Sequence, residues 1–176
     1  MHVLKTNRLV MAPFSIGDAD ELFLIRSDPI AMEFWDWPGD QTIDETRAIA
    51  NEIVADVQKG LAAYWTARTL QGEFVGLFDL SELNSGTEAD LGFLVQRRHW
   101  GAGYAFEAAS ILVNEAWSRG FASLKARVHF GNTRSMKLLA RLGFSKVGST
   151  CPVEIRPGIF KDCVFFSLHR STFPRT

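Results

Sequence analysis

The chain has 176 residues, of which 47% are hydrophobic and 12% aromatic, and its formal net charge is −1. This length fits a single domain over residues 1–176, and the apolar fraction is large enough to fill its core. The near-neutral charge argues against a nucleic-acid-binding surface, and the first residues lack the apolar run of a signal peptide or membrane span. We therefore expect a cytoplasmic protein that binds neither nucleic acid nor membrane.

Strands and helices alternate along the chain, without repeats or low-complexity tracts. Two helix starts contain capping boxes, Ser15 with Asp18 and Thr42 with Glu45. The predicted elements in chain order are a strand at 8–12, helices ending near 26 and 59, a hairpin of strands at 62–69 and 73–83, a strand at 90–96, a helix at 103–119, a strand at 123–130, a helix at 133–142 and two closing strands. This order predicts an α+β fold.

The stretch from Leu91 to Glu107 runs from an apolar strand through a glycine turn directly into a helix. Gly101 and Gly103 can adopt positive φ and carry no side chain, so backbone N–H groups can converge there on an anion at the positive end of the helix dipole. The stretch lacks the Gly-Lys-Ser/Thr ending of a P-loop, and Phe106 stands where a dinucleotide fingerprint has its third Gly or Ala. The pattern therefore predicts a phosphate-binding site that is neither a P-loop nor a dinucleotide fingerprint.

A second strand-to-helix junction follows at residues 132–144, which read Asn-Thr-Arg-Ser-Met-Lys-Leu-Leu-Ala-Arg-Leu-Gly-Phe. Together with the glycine turn, it resembles the GNAT superfamily of acyl-CoA-dependent N-acetyltransferases. The resemblance implies the GNAT fold, with a central mixed, mostly antiparallel sheet flanked by helices. It also implies direct transfer of an acetyl group from acetyl-CoA to a primary amine in a ternary complex, without a metal.

The family's main motif, Gln/Arg-x-x-Gly-x-Gly/Ala, fits this chain in two registers. One register begins at Arg98 and the other at Trp100. We prefer the second, because Trp-Gly-x-Gly-Tyr-Ala-x-Glu-Ala over residues 100–108 resembles the RimJ/RimL branch, which acetylates protein N-terminal amines. Asn-x-x-Ser followed by Leu-Gly-Phe is similar to the same branch.

The resemblance assigns the cofactor-binding surface largely to backbone. N–H groups of the glycine turn would bind the pyrophosphate, the strand before it would pair with the pantetheine arm, and Asn132 would hydrogen-bond that arm from the second junction. Lys137 could contact the ribose phosphate, although a solvated helix face explains it equally well. The implied cofactor-binding residues are Phe93, Leu94, Val95, Arg98, Gly101, Ala102, Gly103, Tyr104, Ala105, Asn132, Ser135 and Lys137.

Two catalytic tasks are assigned to Ser135 and Glu154. Many GNAT enzymes use a Tyr seven residues after the Asn for the leaving thiolate, but Leu139 occupies that position. The resemblance to the RimL-like pattern implies that Ser135, three residues after Asn132, donates a hydrogen bond to the departing sulfur. Alternatively, the Ser135 side chain forms a hydrogen bond with a backbone group of the first helical turn. Glu154 is the first candidate for the base that deprotonates the ammonium, because RimL-like enzymes have an acidic residue just before a similar glycine turn. An ordinary surface Glu is the alternative.

Asp79 and Glu82 are the next candidates for the base, since their strand lies beside the predicted cofactor strand. His129 is a weaker candidate, because its pKa is ordinarily near neutrality and it ends the strand before Asn132.

The loop at residues 28–41 concentrates aromatic side chains and covers the acceptor side in the GNAT fold. The predicted substrate-binding residues are Phe34, Trp35, Trp37 and Glu82, with Trp65 as a further candidate. Core packing or a homodimer contact would also explain the aromatic residues. Asp36 could attract an ammonium or be an exposed turn carboxylate. Monomer and homodimer both stay open.

The acceptor is a protein N-terminus, as on ribosomal proteins, or a small amine such as a polyamine, amino acid or aminoglycoside. Carboxylates in and after the loop favour an acidic entrance for a ribosomal protein, namely Asp28, Glu33, Asp36, Asp40, Asp44 and Glu45. The missing Tyr at position 139 motivates a third reading, a non-catalytic acyl-CoA-binding module.

The chain has two cysteines, Cys151 and Cys163. They are too few for a disulfide framework and do not have zinc-ligand spacing. We expect both thiols to be reduced in the cytoplasm.

Overall fold

The structure is a computed structural model that describes residues 1–173. The strands within this range are β1 (Leu4–Lys5), β2 (Leu9–Pro13), β3 (Ala63–Thr69), β4 (Phe74–Ser81), β5 (Glu88–Val95), β6 (Ser123–His129), β7 (Ser145–Arg156) and β8 (Ile159–His169). The α-helices there are α1 (Ala19–Arg26), α2 (Ile43–Gln58), α3 (Tyr104–Ser118) and α4 (Thr133–Arg141). The predicted order of elements is confirmed, and β1 is an addition too short to give a periodic signal.

The strands form one sheet in the order β1-β2-β3-β4-β5-β6-β8-β7. Neighbouring strands are antiparallel except for β5 and β6, which are parallel. The predicted α+β fold with a mixed, mostly antiparallel sheet is therefore confirmed.

The parallel pair of strands separates after a short contact. Glu88–Asp90 of β5 pairs with Ser123–Lys125 of β6, and the pairing stops there. Beyond this point β5 stays paired with β4 as far as Val95, and β6 stays paired with β8 as far as His129. The sheet is thereby split along part of its length, and a cleft opens between its two halves.

Two apolar cores lie on opposite faces of the sheet, because successive strand residues point to opposite sides. Phe78 and Leu80 of β4 pack in the core that contains α3, and Leu77 packs in the core that contains α1 and α2. Trp65 belongs to the first core, is fully buried, and donates its indole N–H to the His2 carbonyl at 3.0 Å. The expectation that Trp65 lines an acceptor pocket is therefore wrong, since no part of it reaches the solvent.

A buried ion pair anchors the C-terminal end of the aromatic loop. Arg26 donates to both carboxylate oxygens of Asp40, from Nε at 2.6 Å and from Nη2 at 2.8 Å. Thr46 Oγ1 donates to the same carboxylate at 2.5 Å. Partial burial by itself would raise the pKa of Asp40, but the hydrogen bonds from Arg26 and Thr46 outweigh it and hold this pKa below its usual value.

Replacing Asp40 with Ala should lower the free energy of unfolding by about 3 to 5 kcal/mol, because the buried Arg26 guanidinium would lose its counter-charge. Urea unfolding followed by circular dichroism measures this change. Asp44→Ala is the matched control, since its pair with Arg47 is exposed to solvent and should contribute about 0 to 1 kcal/mol. Equal losses in the two variants would contradict a special role for the Arg26–Asp40 pair.

Candidate active site

Two cavities open at the cleft between β5 and β6. The first, which we call the turn cavity, has a volume of about 420 Å³ and lies between β5, the glycine turn and α4. The second, the strand cavity, has a volume of about 380 Å³ and lies between β4, β5 and the end of β6. Residues shared by both linings are Phe34, Trp35, Phe93, Leu94, Asn132 and Ser135. The cavities therefore meet at the middle of β5 and the start of α4.

The glycine turn forms one wall of the turn cavity. Gly101 and Gly103 have φ values of 78° and 84°, and Gly103 immediately precedes α3. Both glycines line the cavity, so the backbone before the helix is exposed to it as the sequence predicts. The side chains of α4 that line the same cavity include the basic residues Arg134, Lys137 and Arg141. A positive wall thus faces the positive end of α3 across the cavity.

Arg98 was predicted among the cofactor-binding residues, but it lies outside both linings. Its Nε contacts His99 Nε2 at 3.2 Å, and the neighbouring Arg97 pairs with Asp28 at 2.8 Å. Arg134 and Arg141 line the turn cavity, and Arg141 was not among the predicted site residues although it lies within the 132–144 stretch. Trp100, the first residue of the preferred motif register, lines the turn cavity.

Glu107 holds the glycine turn against the N-terminal hairpin. Its carboxylate accepts from Thr6 Oγ1 at 2.5 Å, from the Arg8 backbone N–H at 2.8 Å and from Arg8 Nε at 2.6 Å. Arg8 also donates to the Ala102 carbonyl at 3.0 Å and stacks on the Tyr104 ring at 4.5 Å. Ala102 and Tyr104, two predicted cofactor-binding residues, contact Arg8 in this way and line neither cavity.

The second junction places two predicted residues where the cavities meet. Asn132 Oδ1 accepts from the Ser135 backbone N–H at 3.2 Å, which caps the N-terminus of α4. The cap uses the backbone of Ser135, so it leaves the Ser135 hydroxyl available to another partner. Leu139, one turn further along, is fully buried and lines the strand cavity.

Asp79 on β4 points into the strand cavity across β5. It lies directly opposite Gly92, and a Cβ atom at Gly92 would overlap the Asp79 carboxylate. Burial raises the pKa of Asp79 to about 7, against a hydrogen bond with Ser81 that lowers it, and the nearby Asp90 carboxylate adds to the rise. A carboxyl group that titrates near neutrality inside a cavity is suited to proton transfer.

The aromatic loop closes over the strand cavity through Asp36. Its carboxylate contacts His129 Nε2 at 2.8 Å and also accepts from Arg127 Nη2. All three residues line the strand cavity. The expectation that Asp36 is a simple exposed turn carboxylate is therefore wrong, because β6 supplies two basic partners for it.

Of the predicted substrate residues, Phe34 and Trp35 line both cavities, whereas Trp37 and Glu82 line neither. Trp37 is 57% exposed and lies beneath the Arg156 guanidinium at 5.5 Å. Glu82 pairs with Lys125 at 3.2 Å near the end of β4.

Glu154 is exposed on β7 and lies outside both cavity linings. Its Oε1 accepts from the Gly158 N–H at 2.8 Å, so the carboxylate stabilises the turn between β7 and β8. The structure thus does not bring Glu154 together with Ser135.

The predicted acidic entrance is largely neutralised by internal ion pairs. Four of its six carboxylates have a basic partner within the described chain, in the pairs Asp28–Arg97, Asp36–Arg127, Asp40–Arg26 and Asp44–Arg47. The first three pairs join the loop to other segments, whereas the Asp44–Arg47 pair lies on the exposed surface of α2. Together they weaken the argument from composition for a basic protein acceptor.

Residues 1–173 contain no group of three or more His, Cys, Asp or Glu side chains arranged to hold a metal ion. No helix in the same range is long and apolar enough to cross a membrane.

Comparison with known proteins identifies the family. The model of the acetyltransferase (GNAT) domain matches residues 8–145. The uncharacterized N-acetyltransferase p20 of Bacillus licheniformis is 29% identical over 174 residues, which cover 96% of each chain.

Solved structures share the fold at low identity. RimL, the ribosomal L7/L12 alpha-N-protein acetyltransferase in complex with coenzyme A, gives a TM-score of 0.84 at 17% identity and covers 95% of this chain and 97% of its own. Spermidine N-acetyltransferase from Vibrio cholerae, in complex with CoA and spermine, gives a TM-score of 0.81 at 17% identity and covers 94% of this chain and 98% of its own. With the domain model matching well over half of its length, the chain belongs to the GNAT acetyltransferase family and is an acyltransferase enzyme.

Proposed function

We propose that this enzyme is an acetyl-CoA-dependent N-acetyltransferase that acts on a primary amine in a ternary complex, as one domain over residues 1–176. The observation that carries the proposal is the meeting of the turn cavity and the strand cavity at Leu94 and Ser135. Acetyl-CoA supplies an activated acetyl thioester when bound. A cofactor entering through one cavity and an amine entering through the other would bring their reactive atoms to this junction.

The turn cavity suits an elongated, anionic acyl-CoA. The backbone at Gly101 and Gly103 would hold the pyrophosphate, and Lys137 with its neighbours on α4 would neutralise the phosphates. Phe93–Val95 lines the same cavity, and beyond Asp90 this part of β5 is not paired with β6. The backbone edge that lacks a strand partner there would pair with the amide groups of the pantetheine arm, apart from the Val95 carbonyl, which already accepts from the Trp100 indole N–H at 2.9 Å. RimL and the spermidine acetyltransferase, which share this fold, were both solved with CoA bound.

Asp79 is the base that the geometry supports, in place of Glu154. An acceptor amine arrives mostly as an ammonium, and it becomes nucleophilic only after it loses a proton. The Asp79 carboxylate lies in the strand cavity with a pKa of about 7, so at neutral pH it is substantially ionised and can accept this proton directly or through a water.

Two further groups at the junction would assist the transfer. A backbone N–H near Leu94 or Val95 would stabilise the charge that develops on the acetyl oxygen, and such a donor typically contributes about 3 to 4 kcal/mol. The Ser135 hydroxyl would donate to the departing sulfur, since its backbone N–H rather than its hydroxyl serves the cap of α4.

The acceptor we propose is the α-amine of a protein N-terminus, as in the RimJ/RimL branch that the sequence resembles. A small amine with a second positive charge is the alternative, because Asp90 lies near Asp79 and both line the strand cavity. CoA release with N-terminal peptides and with polyamines, checked by product mass, should show turnover on one class. Saturable acetyl-CoA binding without turnover on any primary amine would favour the non-catalytic binding module instead.

Replacing Ser135 with Ala should lower kcat about 10- to 100-fold, the loss expected when a hydrogen bond of about 1.5 to 3 kcal/mol to a charged group is removed. The affinity for acetyl-CoA should stay within a few fold, because the cap of α4 does not use the hydroxyl. Steady-state kinetics and calorimetry measure the two effects. Ser118→Ala on α3, whose hydroxyl donates to the Glu115 carbonyl, is the control. An unchanged kcat would remove Ser135 from the mechanism.

Replacing Asp79 with Asn should lower kcat/KM about 100- to 10,000-fold, the usual contribution of a general base. In the unchanged enzyme kcat/KM should fall as the pH drops below about 7, where Asp79 becomes protonated, and the variant should lack this inflection. Glu154→Gln is the matched control and should keep both the rate and the inflection. If Glu154→Gln instead lost both the rate and the inflection while Asp79→Asn kept them, Glu154 would be the base.

The raised pKa of Asp79 also predicts how the stability of the fold changes with pH. The pKa of Asp79 rises from 3.8 in the unfolded chain to about 7 in the fold, so its ionisation destabilises the protein increasingly over this interval and fully above it. Asp79→Asn should therefore raise Tm above pH 7 while it lowers activity. Gly92→Ala is a second probe, because its Cβ would displace the carboxylate without changing it chemically. Full activity in Gly92→Ala would argue against a fixed role for Asp79.

A further inference from the structure

Two cysteines face each other in the half of the sheet that ends at β7. Cys151 on β7 is the register partner of Cys163 on β8, and Cys163 is in turn the partner of His129 on β6. Directly opposed residues of antiparallel strands point to the same face of the sheet. The two thiols therefore lie side by side in one row with His129, which lines the strand cavity.

The spacing of this pair suits a disulfide. Opposed residues in antiparallel strands have Cα atoms about 4.5 to 5.5 Å apart, within the range of about 4.4 to 6.8 Å that disulfides occupy. The pairing of β7 with β8 is interrupted just before the pair, with a register shift between Val147 and Cys151. Such an irregularity lets the strand adjust locally, which a cross-strand bond requires.

The two thiols differ in their surroundings. Cys151 is exposed, whereas Cys163 is fully buried, and both are free. Burial raises the pKa of the Cys163 thiol, against the nearby Arg127, which lowers it. Cys151 is therefore the thiol that a dissolved oxidant can reach, and Cys163 is held next to it where solvent is excluded.

We propose that Cys151 and Cys163 form a reversible intramolecular disulfide when the protein meets a hydroperoxide. With hydrogen peroxide, the Cys151 thiolate attacks one oxygen, the O–O bond breaks, and the hydroxide that leaves takes up the proton that the Cys151 thiol gave to solvent, so the products are a sulfenic acid on Cys151 and one water. The Cys163 thiol then loses its proton and attacks the Cys151 sulfur, which forms the S–S bond and breaks the S–O bond. The departing hydroxide takes up that proton and leaves as a second water. The two sulfur atoms together lose two electrons, and the peroxide gains them. A small thiol in excess reverses the reaction by exchange.

This modification site is independent of the proposed acyl transfer. The bond would fix β7 to β8 in the row that contains His129, whose ring contacts Asp36 of the aromatic loop at 2.8 Å. Further along β7, Arg156 lies over Trp37 of the same loop. Cys151 thus shares β7 with Arg156, and Cys163 on β8 pairs with His129 of β6, so the cysteine pair adjoins both strands that contact the loop.

Folded protein treated with hydrogen peroxide and measured by intact mass should lose about 2 Da as a monomer, the mass of two hydrogen atoms, and dithiothreitol should restore it. Digestion without reduction should yield one cross-linked peptide pair that contains Cys151 and Cys163. Cys163→Ala should instead gain about 16 Da per oxygen on Cys151, and Cys151→Ala should react much more slowly.

The test does not depend on the stability of the variants, because the decisive mass change is measured on the unchanged chain. A wild-type protein that only gains oxygen, forms disulfide-linked dimers or keeps its mass while the exposed thiol stays reactive to a maleimide would overturn the proposal. A mass loss of about 2 Da that appears only after denaturation would overturn it as well, since the native sheet would then not bring the thiols together.

Discussion

The separation of β5 from β6 creates the opening around which the candidate site is built. Three residues of each strand pair, and beyond Asp90 and Lys125 the strands follow different neighbours. Backbone N–H and C=O groups on the facing edges then lack sheet partners, and unpaired backbone groups require water or a ligand. The two cavities meet at this split. A peptide-like cofactor arm would pair with such an edge as an added strand. The gap between β5 and β6 would thereby provide a binding surface for the acyl-CoA that we propose.

Much of the chain's charge maintains this opening rather than binding a ligand. Arg26 and Asp40 fix one end of the aromatic loop, Asp28 and Arg97 join its other end to the region before the glycine turn, and Asp36 joins it to β6. Glu107 performs a similar task for the glycine turn through Arg8. The carboxylates in and near the loop are therefore mostly internal partners. Composition suggested an acidic entrance, but a carboxylate that is already paired attracts an incoming cation weakly.

The two candidate bases show how surroundings distinguish chemically similar groups. Glu154 is exposed and accepts a backbone hydrogen bond in a hairpin turn, an environment that favours a structural role. The Asp79 side chain extends over Gly92 into the strand cavity, where burial and the nearby Asp90 raise its pKa to about 7. Gly92 does not have the positive φ that favours glycine, and its lack of a side chain leaves space for that carboxylate.

The order of the elements, the family and the conformation of the local turns could be read from consecutive residues. Gly101 and Gly103 adopt the positive φ that their turn predicts, and the capping boxes predicted at Ser15 and Thr42 are present, because these features depend on a few neighbouring residues. Tertiary structure alone decided the contacts between distant segments. Asp36 meets His129 across 93 positions, and Arg8 meets Glu107 across 99. Periodicity and motif spacing report local conformation, whereas burial and charge pairing depend on which strands become neighbours, and so the sequence predicted the local turns but not the ion pairs between distant segments.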